Sequence, residues 1–173
     1  VGVLLLFMLL SIAGITESAS VATVIFIAHL SSMLLLILGG GWYVITHGFS
    51  VFSMNWHLPA PGGYSIGALI FLGFSTAMLG VTGFESSANY VEEQEHGVFP
   101  KTLRNMWVAV SVLNPLIALI GLMVLPMATI AADSEAMLSV MGLEIGGDWL
   151  AMVISIDAVV VLCGAVLTSY VGV

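Results

Sequence analysis

The chain has 173 residues, 60% of them hydrophobic and only 7% charged, with a mean hydropathy of +1.18 and a formal net charge of −8. A soluble domain carries roughly a quarter charged residues, so this composition excludes a water-soluble enzyme or binding module and assigns the chain to lipid. Two basic against ten acidic residues argue against nucleic acid as a partner, and the single cysteine, Cys163, leaves no internal disulfide and no CxxC metal site.

Five apolar segments follow one another, at about 1–15, 21–46, 64–91, 106–131 and 149–173. Each of the last four exceeds the roughly twenty residues with which a helix crosses a bilayer. Barrel strands would run about ten residues with polar alternation, which is not seen. The expected fold class is therefore all-α transmembrane, a single integral membrane domain over 1–173 with no soluble domain and no linker. The first segment, Val1–Ile15, lacks a basic flank, a small-residue cleavage site and an initiator Met, so it does not read as a signal peptide. It is shorter than a full span, and the sequence is expected to be an excerpt that begins partway through one.

Between the first two segments, Gly14 reads as a helix stop and Ser18 or Ser20 as the cap of the next helix. Gly39-Gly-Gly and then Trp42-Tyr43 mark the far end of the second span, where aromatic residues suit the membrane interface. His47–Gly63 is a loop with Pro59, Pro61, Gly62 and Gly63, in which Phe52 and Trp56 are expected on a short helix lying on the membrane surface. The third segment carries Leu79–Glu93, LGVTGFESSANYVEE. There Gly80 and Gly83 bracket the β-branched pair Val81-Thr82, so the helix is weakest at about 79–85. A break at that depth frees backbone groups that lipid cannot satisfy, the local design of a transporter's substrate site.

Both basic residues, Lys101 and Arg104, fall in the loop 92–105, which the positive-inside rule makes cytoplasmic; the loops 47–63 and 132–148 are then external. The latter holds Asp133, Glu135, Glu144 and Asp148. Pro100 opens a short helix through Arg104. In the fourth span Asn114-Pro115 and Pro126 predict kinks. Cys163 and the scattered methionines read as packing, and Gly164-Ala165 as a point of close helix contact.

Ionisable groups at membrane depth are functional by default, and three qualify: His29 in the second span, Glu85 in the third and Asp157 in the fifth. For Glu85 two compatible readings stand, a structural carboxylate bonded to freed N–H groups and a direct substrate or gate role. For His29 they are a core histidine bonded to a carbonyl and a proton-carrying group, since imidazole is the side chain best suited to take up and release a proton. For Asp157 they are a place on a polar path and a carboxylate snorkelling outward.

The pattern Gly83-Phe84-Glu85, then Glu92-Glu93, then Phe99-Pro100-Lys101-Thr102-Leu103-Arg104 resembles the sixth-helix region of amino acid permeases, the amino acid–polyamine–organocation transporters. Gly14-Ile-Thr-Glu-Ser-Ala resembles the loop before their fifth helix, with Thr16 where a basic residue is frequent. The resemblance runs over most of the chain, from a partial fourth helix to the eighth. It implies a fragment of an inverted-repeat bundle of five plus five helices with a broken sixth helix, completed by helices outside this sequence. It also implies a substrate amine held by the carbonyls of Leu79, Gly80, Val81 and Thr82 with Gly83, Phe84 and Glu85 beside them. In several members a lysine of the fifth helix stands where others bind sodium, and His29 falls at about that position. His29, Asp157 and Ser155 are thus the candidates for coupling to H+ or Na+.

The function expected is secondary active transport of amino acids or related organic amines by alternating access, without enzymatic chemistry, metal or cofactor. Two rivals remain open: a non-transporting scaffold or pigment-binding subunit with His29 as axial ligand, and an ion channel lined by Glu85 and Asp157.

Overall fold

In the computed structural model, which describes residues 15–59, 61–79 and 95–171, the described chain is almost wholly helical. Helix α1 runs Ile15–His47, α2 Ser50–Trp56, α3 Ile66–Leu79, α4 Val98–Val124, α5 Met127–Ala132, α6 Met137–Gly146 and α7 Asp148–Val171, with single 3-10 turns at Pro61–Gly63 and Ser134–Ala136. Among the described residues three helical stretches are long and apolar enough to cross a membrane: Thr23–His47, Val98–Val124 and Asp148–Ala165.

The boundaries depart from the expected ones in physically readable ways. Helix α1 continues back through Ser20 and Ser18 to Ile15, so neither serine stands at its start. A serine can sit inside a helix by bonding the carbonyl four residues back, as Ser31 and Ser32 do to Ile27 and Ala28. Pro100 does not open a separate short helix. It occupies the first turn of one continuous helix from Val98, where its missing N–H has no intrahelical partner to lose. Helix α4 also runs on through Pro115, whereas Pro126 ends it. Leu125, the residue before that proline, is extended at φ −109° and ψ 136°, the conformation that a following proline imposes. The expected external loop 132–148 is itself helical over most of its length. A Cβ on Gly164 would meet nothing within 4 Å among the described residues.

Close approach occurs elsewhere. A Cβ on Gly40 of α1 would fall 2.3 Å from Ile120 Cγ2 of α4, and one on Gly142 of α6 would fall 3.3 Å from the backbone nitrogen of Ala151 of α7. Glycine at these points lets helix backbones meet at short range, the usual solution where apolar helices associate in lipid. Around this junction lies the core: Met33, Leu36 and Val44 from α1, Ile120 and Val124 from α4, Leu125, Met141 from α6, and Leu150 and Ile154 from α7. The core therefore sits toward the end where α1 and α4 finish and α7 begins. Around it the long helices present large apolar side chains outward, among them Leu38, Trp107, Met152 and Leu162, as surfaces facing lipid or other apolar helices do.

The pairings set the sense of each helix. Gly40 lies against Ile120, while Phe26 and His29 face Thr102 and Asn105 across a cavity, so α1 and α4 run parallel. His29 meets Asp157 and Tyr43 meets Glu144 just ahead of α7, so α7 runs antiparallel to both. Helices α2, α5 and α6 cap the end where α1 and α4 finish.

Candidate functional site

Midway along α1 the imidazole of His29 faces α7. Its Nδ1 stands 2.8 Å from Oδ2 of Asp157. An ionised carboxylate can only accept, so a bond to it uses an N–H at Nδ1 of the ring. The Asp157 side chain is 8% exposed and that of His29 35%, so the acid is nearly sealed while the ring keeps one open side. Neither of the local alternatives applies: His29 is bonded to a side chain rather than a carbonyl, and Asp157 turns inward rather than snorkelling out.

The open side of His29 gives onto a cavity of about 500 Å³ between α1 and α4. Phe26, His29 and Met33 form one wall, and Thr102, Asn105, Leu113 and Asn114 the other. It is mostly apolar with a few polar groups, the usual make-up of a small-molecule site. The amide of Asn114, which with Pro115 reads in the sequence as a kink, has its place here.

Ser155 belongs to a different cluster. Its hydroxyl donates to Ala151 O at 2.8 Å and lies 2.7 Å from Ser139 Oγ, which is also 3.2 Å from Ala151 O. That cluster ties α6 to α7. At the end of α1, Tyr43 donates its hydroxyl to Glu144 Oε1 at 2.8 Å and stacks on His47 at 4.1 Å between ring centroids. The residues of the expected break, Gly80, Val81, Thr82, Gly83, Phe84 and Glu85, lie outside the described residues, with Leu79 the last residue of α3 before them.

The full length of the chain, residues 1–173, matches the family model described as amino acid permease. The chain belongs to the amino acid permease family. No curated protein and no solved structure matches it. Membership identifies an integral membrane permease of a family that carries amino acids across membranes and is not a family of enzymes. Three spans of sufficient length fit that assignment.

The permease also contains side-chain pairings that the sequence hides. His29 and Asp157 stand out singly as polar residues in apolar runs, yet nothing in a linear reading pairs positions so far apart. Asn55, in an aromatic loop, gives no signal of its own, although it is 9% exposed and bonds across to the end of α4. The one available hint lies at Pro126, whose missing N–H requires a donor from elsewhere.

Proposed function

We propose that the chain is part of a secondary active transporter for amino acids or related organic amines, working by alternating access with the His29–Asp157 pair as its proton-coupling element. The observation that carries this reading is the 2.8 Å contact between a titratable base on α1 and a nearly buried acid on α7. Buried charges at membrane depth are retained where they act. Protonation of the imidazole converts a bond between a neutral ring and a carboxylate into an ion pair and so changes how tightly α1 is held to α7. A proton that strengthens one helix contact biases the bundle toward the arrangement in which that contact is made. The open side of the ring gives the proton a route in and out.

The substrate site is assigned to Leu79–Glu85, after the end of α3. There the freed carbonyls of Leu79, Gly80, Val81 and Thr82 take the substrate amine, with Gly83, Phe84 and Glu85 as neighbouring wall and gate. Ser155, engaged with Ser139, is left a helix-tying role and drops out of the coupling set. Lys101 and Arg104, both exposed on the first turns of α4, set that end in the cytoplasm by the positive-inside rule. The capping helices α2, α5 and α6 then lie outside. Family membership favours a carrier over the scaffold, pigment-binding and channel readings.

The test is uptake of a tritiated mixture of the common amino acids by the full-length protein in proteoliposomes, with and without an imposed pH gradient. The reading expects saturable uptake driven by inward proton flow, lost in Glu85→Ala and made insensitive to the gradient in His29→Ala. Uptake untouched by Glu85→Ala removes the substrate site, and uptake indifferent to the gradient in the unaltered protein removes the coupling.

A further inference from the structure

The capped end of the bundle holds a joint that the transport cycle above leaves unused. Pro126 has no N–H, so the last i→i−4 bond of α4 cannot close and the carbonyl of Leu122 is orphaned. The extended Leu125 turns its own carbonyl out of the helix as well. Both carbonyls accept from Nδ2 of Asn55, at 2.8 and 2.9 Å, while Oδ1 of the same amide accepts from the N–H of Met127, the first residue of α5, at 2.8 Å. One nearly buried side chain on α2 thus satisfies three backbone groups on both arms of the break. The pattern of two acceptors and one donor also fixes which way the amide is turned. Its polar neighbour His57 bonds within its own turn, to Ser53 O.

An amide used on three sides sets both the distance and the orientation of α2 against α4 and α5. Residues 57–65 connect α2 in sequence to α3, whose last residue, Leu79, begins the proposed substrate segment. The cover over one end of the bundle and the chain that feeds the binding segment are therefore tied through one side chain. We infer that Asn55 is a positioning residue of the transport step: it makes α2 move with the end of α4 and with α5, so that opening and closing of the cover is passed through 57–65 to α3. A break satisfied by an amide from its own arms would leave α2 free to drift. A break satisfied from α2 makes the three elements one body.

The inference rests on the alternating-access reading, and one set of measurements separates the two. In proteoliposomes of the full-length protein with the tritiated amino acid mixture, Asn55→Ala is expected to lower the maximal rate per folded molecule about tenfold, while the half-saturating concentration stays within about twofold, the pattern of a lost positioning contact rather than lost binding. Pro126→Ala supplies an N–H that closes onto the Leu122 carbonyl once Leu125 turns helical, so N55A/P126A re-satisfies one of the three groups without retying α2. It is expected to recover part of the folded yield and leave the rate low. A parent-like rate per folded molecule in N55A or in N55A/P126A overturns the inference, as does failure of both variants to fold, which assigns Asn55 to folding alone. Absence of saturable uptake in the unaltered protein overturns the transport reading instead.

Discussion

Replacing Asp157 with Asn, and in a second set with Ala, removes the acid that holds His29. The contact is short, at 2.8 Å, and its acid side is 8% exposed, so it ranks with hydrogen bonds to charged groups, worth about 1.5–3 kcal/mol net. The imidazole is 35% exposed, so water keeps part of its hold on the ring and the lower end applies, about 1.5 kcal/mol, or tenfold in the equilibrium between joined and parted helices. A double-mutant cycle of H29A, D157A and H29A/D157A, read as thermal unfolding of the detergent-solubilised full-length protein, is expected to give a coupling near that value. In the uptake assay D157N is expected to flatten the pH dependence while saturation with substrate persists, because the amide still bonds the ring but carries no charge for the proton to meet. A coupling below about 0.5 kcal/mol, within the range of independent sites, or a pH profile in D157N that superimposes on the parent's, refutes the argument.

The glycine junction gives a paired prediction. Gly40→Ala is expected to cost about 1–3 kcal/mol by overpacking, because the intruding atom is Ile120 Cγ2, fixed on a branched β-carbon. Gly121→Ala, where the nearest atom is Cε at the end of the pliable Met137 side chain, is expected to cost less than about 1 kcal/mol. In I120A the offending methyl is gone and the remaining Cβ lies 3.7 Å away, so a shift in melting temperature on adding G40A that is as large in I120A as in the parent refutes the clash. Tyr43→Phe removes a bond to Glu144 at an exposed site and is expected to lower stability by only about 0.5–1 kcal/mol; the thermal melt checks this, with uptake unchanged. Ser139→Ala leaves Ser155 bonded to Ala151 O, and a melting temperature close to the parent's is expected.

The parts of this molecule that the sequence discloses are those set by composition and by local backbone chemistry. Apolar length sets the spans because lipid demands it. Proline and the residue before it set the end of α4 because their torsions are constrained. Even there local rules mislead where a longer helix absorbs the signal, as with Ser18, Ser20 and Pro100. What stays hidden is pairing over distance. His29 and Asp157 are each conspicuous, but the bond between them depends on α7 running antiparallel to α1 in one register. Gly40 is unremarkable until Ile120 is set against it. Asn55 is the extreme case, an amide on a short helix whose three partners are backbone groups some seventy residues away, invisible to any reading by residue type.

Helix α1 is 33 residues long, about 50 Å at the helical rise, against a hydrocarbon layer of about 30 Å. Its apolar part, Thr23–His47, has 25 residues, about 37 Å, and fits such a layer by leaning about 35°, inside the range seen for membrane helices. Bound to α7 at mid-length and to α4 at its upper half, it cannot lean alone. Acyl-chain length in the host membrane therefore becomes a mechanical setting of the whole bundle: shorter lipids press these rods flatter and longer ones stand them upright.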